Sequence, residues 1–137
     1  MLILVVDDED PVRTLLVDIL ADAGHVTLSA TNGREAIGCL RRHKTRVQLV
    51  LLDVMMPSVN GWDVLKELQR DPALAAIPVV MMTAGGNVRQ KAQERGASGY
   101  LPKPTDLDML LEMIERYEPQ HASTARQKFL GSSMRRI

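Results

Sequence analysis

This chain of 137 residues has a single cysteine, no formal net charge and no long apolar run. Cys39 is its one cysteine, so no intramolecular disulfide can form, and its apolar helical surroundings predict a small buried hydrophobe. No apolar run approaches the roughly 20 residues that a membrane-spanning helix needs. No basic segment or small-residue cleavage site of a secretory signal accompanies the first apolar run. We therefore expect a cytoplasmic protein without a membrane partner.

The formal net charge is zero, which favours neither a nucleic acid nor a membrane surface as a partner. The charge is unevenly spread, because residues 119–137 contain four basic residues and no acid. That segment is polar, and it breaks the pattern of the preceding residues. The length is that of one domain. We expect a folded domain over residues 1–118 and a basic polar tail or linker, poorly ordered, over residues 119–137.

Five apolar runs alternate with five helical patterns along residues 1–118. Runs that are apolar on both faces, such as residues 48–52, are typical of strands in a parallel sheet covered by helices. Strict alternation of this kind predicts an α/β fold with a doubly wound, five-stranded parallel sheet. The predicted strands are residues 2–6, 26–30, 48–52, 77–82 and 99–101, and the predicted helices are residues 11–23, 34–43, 62–70, 87–95 and 106–117.

Residues able to bind ions or react stand at the carboxyl ends of four predicted strands. Asp7 and Asp8 follow the first strand, Asp53 the third, Thr83 the fourth and Lys103 the fifth. Ligands of open α/β sheets bind outside these ends, at the point where the strand order reverses. If strands one and three are neighbours, the three aspartates converge and repel each other unless a cation lies between them. Mg²⁺ is the cation that such hard oxygen ligands favour, with Mn²⁺ as a substitute.

A metal ion, an ammonium group and a hydroxyl group around one carboxylate form a site for a phosphoryl group. The predicted chemistry is in-line transfer with Asp53 as the nucleophile. Taken singly, each residue has a plainer interpretation: the aspartates as helix caps or turn residues, Thr83 as a turn hydroxyl and Lys103 as a surface lysine. Their joint occurrence at four strand ends is what favours the site.

Six motifs together resemble the receiver domain of two-component response regulators, over residues 2–117. They are Val5-Val6-Asp7-Asp8-Glu9, Leu51-Leu52-Asp53-Val54-Met55-Met56-Pro57, Asn60-Gly61, Met82-Thr83-Ala84, Gly96-Ala97 and Tyr100-Leu101-Pro102-Lys103-Pro104. The resemblance implies a flavodoxin-like fold with strand order 2-1-3-4-5. It also implies that Asp53 accepts a phosphoryl group from a histidine kinase, a phosphotransfer protein or a small phosphodonor.

The resemblance implies a role for the other matching residues as well. Asp8, Asp53 and the backbone carbonyl of Met55 would bind Mg²⁺ directly, and Asp7 would bind it through water. Thr83, Ala84 and Lys103 would contact the phosphoryl group, and the Lys103–Pro104 peptide bond would be cis. Thr83 and Tyr100 would move on phosphorylation and change the face formed by helix four, strand five and helix five, where a downstream protein would bind. Such a chain is a switch that promotes its own phosphorylation and dephosphorylation, not an enzyme.

The sequence leaves three alternative functions to consider. A pseudo-receiver that binds partners without phosphate usually lacks one of the acids, the threonine or the lysine, and none is missing here. A haloacid-dehalogenase-type phosphatase carries its nucleophile after the first strand and has a cap domain, for which this chain has no insertion. A DNA-binding regulator needs more than residues 119–137 to form a DNA-binding module. We expect a monomer, with dimerisation through helix four, strand five and helix five as the alternative.

Overall fold

The computed structural model describes residues 1–44, 46–85 and 87–119. It divides into two compact units, residues 1–105 and residues from Asp106 onwards. The first unit holds a five-stranded sheet and four helices, and the second begins with the fifth helix. The strands are β1 (Leu2–Val6), β2 (Val26–Ala30), β3 (Leu49–Asp53), β4 (Val79–Thr83) and β5 (Gly99–Pro102), and the helices are α1 (Asp10–Asp22), α2 (Gly33–Arg42), α3 (Gly61–Arg70), α4 (Val88–Glu94) and α5 (Leu107–Glu115).

All five strands are parallel, in the order β2-β1-β3-β4-β5. The predicted fold class and strand order are therefore confirmed. Strands β3 and β4 are buried along their whole length, and β1 is buried from Ile3 onwards, whereas β2 and β5 form the partly exposed edges. Burial on both faces explains why the central strands are continuous apolar runs.

Several boundaries of β3, β4 and β5 differ from the prediction by one or two residues, and two of these differences have a clear physical reason. Strand β4 begins at Val79 instead of residue 77, because Pro78 has no N–H group to give to the ladder, although its carbonyl accepts from Val50 N–H at 3.0 Å. Strand β3 includes Asp53, which pairs with Met82 of β4. The sheet therefore continues up to the candidate phosphoacceptor and holds its backbone in the ladder.

Local hydrogen bonds determine where three of the helices begin. Asn60 and Asp63 form a capping box at the start of α3, and the side chain of Asn32 caps α2. The side chain of Asp106 caps α5, so that helix begins one residue later than predicted. Asn87, where the predicted fourth helix begins, occupies the cap position of α4, but its side chain makes no capping hydrogen bond.

Helices α2 and α3 contact each other in the first unit, and Arg41 of α2 pairs with Glu67 of α3 at 3.2 Å. Cys39 is buried, as predicted, and so is Trp62. Within the described residues, no helix combines the length and apolar character needed to cross a bilayer. Apart from residue 119, the predicted tail lies outside the described residues.

Candidate functional site

The register of the sheet brings Asp7 and Asp53 side by side. Val6 of β1 pairs with Leu52 of β3, and each of the two aspartates is the next residue of its chain segment. Asp7 is fully buried and Asp53 is 3% exposed, whereas Asp8 is exposed. Carboxylate oxygens of Asp7, Asp8 and Asp53 all lie within 4.8 Å of one another. The convergence expected from neighbouring strands one and three is therefore present.

Strands β4 and β5 place the remaining predicted groups at the same edge. Thr83 ends β4 and pairs with Pro102 of β5. Lys103 follows directly, and its N–H donates to the carbonyl of Thr83 at 3.0 Å. The Lys103–Pro104 peptide bond is cis. The hydroxyl oxygen of Thr83 accepts from Gly85 N–H at 3.2 Å.

The Lys103 ammonium lies among three carboxylates. Its nitrogen is 2.8 Å from Oδ2 of Asp7, 3.4 Å from Oδ1 of Asp53 and 3.5 Å from Oε1 of Glu9. Burial acts to lower the pKa of Lys103, but the Asp7 and Asp53 carboxylates outweigh it and the pKa is raised. One cation among these carboxylates leaves the cluster with an excess of negative charge.

One carboxylate oxygen of Asp7 shows this excess of negative charge. Its Oδ1 accepts from Glu9 N–H at 2.9 Å. Its buried Oδ2 has no hydrogen-bond partner with acceptable angles among the described residues, although the Lys103 ammonium lies 2.8 Å away. We therefore describe this contact as an ion pair without an aligned hydrogen bond. A buried carboxylate oxygen with spare capacity, beside two further carboxylates, fits a hard divalent cation such as Mg²⁺.

The electrostatics single out Asp53. Burial, followed by the charge of Asp7, raises the pKa of Asp53 from 3.8 to about 6, against the opposing effects of Lys103 and the N–H of Met55. That N–H donates to Oδ1 of Asp53 at 3.3 Å. A carboxylate with a raised pKa in a concave site is a candidate for chemistry, because its ionised form is poorly stabilised by its surroundings.

Asp53 faces a groove of about 760 Å³ in spite of its small exposure. Asp8, Thr83, Ala84 and Lys103 line the groove with it, whereas Asp7 does not line it. Tyr100 is half-buried and packs against the hydrophobic core. The side chain of Met55 is 72% exposed and also lines the groove. The predicted phosphoryl-contacting residues thus share one cavity with the candidate acceptor.

Several groove residues were missed by the sequence reasoning. Trp62, Asn87, Val88 and Lys91 also line the groove. Neither Trp62 nor the three residues of the α4 region belongs to a motif in the sequence. Glu9 lies 3.5 Å from Lys103, and its place beside the two adjacent aspartates is the signal in the sequence that indicates it.

Comparisons with known proteins show the family to which the chain belongs. The family model described as "Response regulator receiver domain" matches residues 3–115. Protein PilH of Pseudomonas aeruginosa is 36% identical over 114 residues, covering 82% of this chain and 93% of PilH. The phosphate regulon transcriptional regulatory protein PhoB of the same organism is 38% identical over 104 residues, covering 74% of this chain and 44% of PhoB. The chain thus spans nearly all of one relative and less than half of the other.

Comparisons with solved structures indicate the same family. The chemotaxis response regulator CheY4 of Vibrio cholerae superposes with a TM-score of 0.78 at 28% identity, covering 85% of this chain and 98% of CheY4. The receiver domain of NtrX from Brucella abortus superposes with a TM-score of 0.76 at 34% identity, covering 84% and 96% of the two chains. By sequence and by fold, the chain belongs to the response regulator receiver domain family.

Proposed function

We propose that this receiver domain is a phosphorylation switch whose acceptor is Asp53. The observation that carries the proposal is the position of one groove-lining carboxylate beside two other aspartates, within 4.8 Å, and beside the Lys103 ammonium, at 3.4 Å. The phosphoryl group would come from a histidine kinase, a phosphotransfer protein or a small phosphodonor. The chain would promote its own phosphorylation and dephosphorylation, without turnover of a foreign substrate.

The carboxylates and one carbonyl are the proposed metal ligands. Asp8, Asp53 and the backbone carbonyl of Met55 would hold Mg²⁺, and Asp7 would hold it through water. When bound, Mg²⁺ supplies positive charge to the oxygens of the transferring phosphoryl group. Mg²⁺ also offsets the repulsion that raises the pKa of Asp53 in the metal-free site.

The remaining residues act on the phosphoryl group or respond to it. An oxygen of Asp53 attacks phosphorus, and the leaving group departs on the opposite side. The Lys103 ammonium, shared with Asp7 in the resting state, turns to a phosphoryl oxygen. The Thr83 hydroxyl, which now accepts from Gly85 N–H at 3.2 Å, donates to another. Ala84 leaves room for the incoming donor.

The proposed output begins at Thr83. Its movement toward the phosphoryl group would let Tyr100 turn inward and change the surface of α4, β5 and α5 for a downstream protein. A monomeric state, a location in the cytoplasm and a domain boundary near residue 118 are parts of the same proposal.

Intact-mass spectrometry after incubation with acetyl phosphate and Mg²⁺ tests the acceptor. Wild-type protein should gain the mass of one phosphoryl group, and Asp53→Asn should gain none. Asp18→Asn makes the same charge change at an exposed position of α1 and should be phosphorylated as the wild type is. A phosphoryl mass that survives Asp53→Asn would move the acceptor elsewhere.

A beryllofluoride titration with Mg²⁺ tests the phosphate-independent alternative. Trp62 lines the same groove as Asp53, so its fluorescence should change when the phosphoryl mimic binds. Absence of any response, together with absence of phosphorylation, would favour the pseudo-receiver.

A further inference from the structure

The groove beside Asp53 is lined by more residues than phosphoryl transfer uses. Asp53, Thr83 and Lys103 line it at the carboxyl ends of the strands, where the phosphoryl group would lie. Trp62 of α3 and Val88 and Lys91 of α4 line the same groove, whose volume is about 760 Å³. The lining from α3 and α4 is therefore available to the rest of a phosphodonor, the part that leaves after transfer.

The ammonium of Lys91 is held at the wall of the groove by an aromatic ring. It lies 5.1 Å from the ring centroid of Trp62, and the guanidinium of Arg95 lies 5.4 Å from the same centroid. Trp62 is 8% exposed, so its ring is a rigid platform for both cations. Lys91 forms no ion pair with any residue in the described ranges, and its charge is free to meet an anion.

The charges that line the groove come from different elements of the fold. The carboxylates of Asp8, Glu9 and Asp53 stand at or just after the ends of β1 and β3, whereas α4 and the residue before it contribute Asn87, Val88 and the cationic Lys91. The complement of this surface is a molecule with a phosphoryl group at one end, an apolar body, and a second negative charge at the other end.

We propose that this groove is a subsite for acyl phosphates whose apolar body carries a second anionic group, and that Lys91, positioned by Trp62, recognises that group. The proposal rests on Asp53 as the phosphoacceptor. In the reaction, an oxygen of Asp53 forms a bond to phosphorus while the bond from phosphorus to the acyl oxygen breaks. The electron pair leaves with the acyl group as a carboxylate, so charge balances without a proton or another reactant.

Two phosphodonors with the same aromatic ring, one with a second negative charge and one without, isolate the effect of that charge. 4-Carboxybenzoyl phosphate has a carboxylate at the far end of its ring, and benzoyl phosphate has none. The rate constant for phosphorylation at low donor concentration, followed by intact mass, should be about fivefold larger for the carboxylated donor, the scale of a single partly exposed ion pair. The preference should shrink at high ionic strength, because the charges that cause it are screened.

Variants on one helix provide the control. Lys91→Gln should bring the ratio of the two rate constants close to one, and Lys91→Glu should reverse the preference. Arg89→Gln removes the same charge from an exposed residue of α4 that does not line the groove, and it should keep the wild-type ratio. Circular dichroism checks that each variant is folded.

The outcomes distinguish this proposal from the one on which it rests. Equal rate constants for the two donors in the wild type, a ratio unchanged by Lys91→Gln, or the same loss in Arg89→Gln would overturn the subsite while leaving Asp53 as the acceptor. Failure of every donor to phosphorylate Asp53 would instead reject the phosphorylation switch and the subsite with it.

Discussion

The ammonium of Lys103 lies nearer to Asp7 than to Asp53, at 2.8 Å and 3.4 Å. Both carboxylates are buried, and Asp7 raises the pKa of Asp53 whereas Lys103 lowers it. In the resting site, one partly exposed cation is thus shared by two buried acids. Sharing of this kind leaves the lysine able to change partner when the charge on Asp53 changes.

Substitutions of Asp7 and of Lys103 should move the pKa of Asp53 in opposite directions. Asp7→Asn removes a repelling charge and should lower the pKa below about 6, although burial continues to raise it. Lys103→Met removes the attracting charge and should raise it further. Carbon-13 NMR of the Asp53 carboxyl group in metal-free buffer measures both shifts, with Asp18→Asn as the control. A shift of the same sign in both variants would contradict this account.

The raised pKa of Asp53 should make the metal-free protein less stable as the pH rises. Between pH 3.8 and about 6 the folded state binds more protons than the unfolded state, so the free energy of unfolding falls with increasing pH. Above about pH 6, the raised pKa of Asp53 lowers the free energy of unfolding by its full amount. This penalty is at most about 3 kcal/mol, because each pH unit between the two pKa values contributes about 1.36 kcal/mol.

Asp53→Asn removes that penalty. In urea denaturation without divalent metal, the variant should be roughly 1–3 kcal/mol more stable than the wild type at pH 7, and the difference should shrink toward pH 4. The penalty attributed to Asp53 is wrong if the difference is the same at both pH values.

Mg²⁺ should stabilise the folded wild type, because the unfolded chain does not gather the three aspartates. The gain should follow mass action, about 2.7 kcal/mol at a hundredfold excess over the dissociation constant. Asp8→Asn should weaken the effect, since it removes one of the clustered carboxylates. Thermal denaturation against Mg²⁺ concentration measures this, and Asp18→Asn should respond as the wild type does. Equal responses of Asp8→Asn and the wild type would exclude Asp8 as a ligand.

Gly61 should tolerate no side chain, because it lies against the backbone of the acceptor. A Cβ atom there would overlap the carbonyl oxygen of Asp53 and lie 2.8 Å from Cα of Val54. We expect Gly61→Ala to destabilise the protein by roughly 1–3 kcal/mol through backbone displacement and to slow phosphorylation.

Gly38 is the matched control for Gly61. It lies within α2, and its Cβ would meet only Nη1 of Arg42, at 3.5 Å. Gly38→Ala should therefore raise stability by about 0.5–1 kcal/mol, because alanine loses less backbone entropy in a helix. Equal destabilisation of the two variants in chemical denaturation would show that the close approach at Gly61 is not the cause.

Two asparagines at helix starts should differ in their effect on stability. Asn60 accepts from Asp63 N–H at 3.0 Å, and the Asp63 carboxylate accepts from Asn60 N–H at 3.1 Å. Asn60→Ala should lower the free energy of unfolding by about 1 kcal/mol. Asn87 makes no capping bond at the start of α4, so Asn87→Ala should have a much smaller effect. Similar losses in urea denaturation would contradict the assigned caps.

Much of the fold could be predicted because its signals are local. The alternation of apolar runs and helical patterns located every strand and helix to within a few residues, and the buried central strands read as continuous apolar runs. The strand order came from the resemblance to a family, since periodicity does not say which strands pair. The boundaries that moved, at Pro78 and Asp53, depend on which ladder bonds the neighbouring strand offers.

By itself, the sequence determined which residue types stand at the carboxyl ends of the strands, and so which chemistry is available at that edge. Only the tertiary structure decided that Lys103 lies closer to Asp7 than to Asp53, that Gly61 touches the acceptor's backbone, and that Lys91 lies over Trp62. These contacts join residues that are mostly far apart in the chain. Their distances follow from strand register and helix packing, which no local pattern of residues encodes.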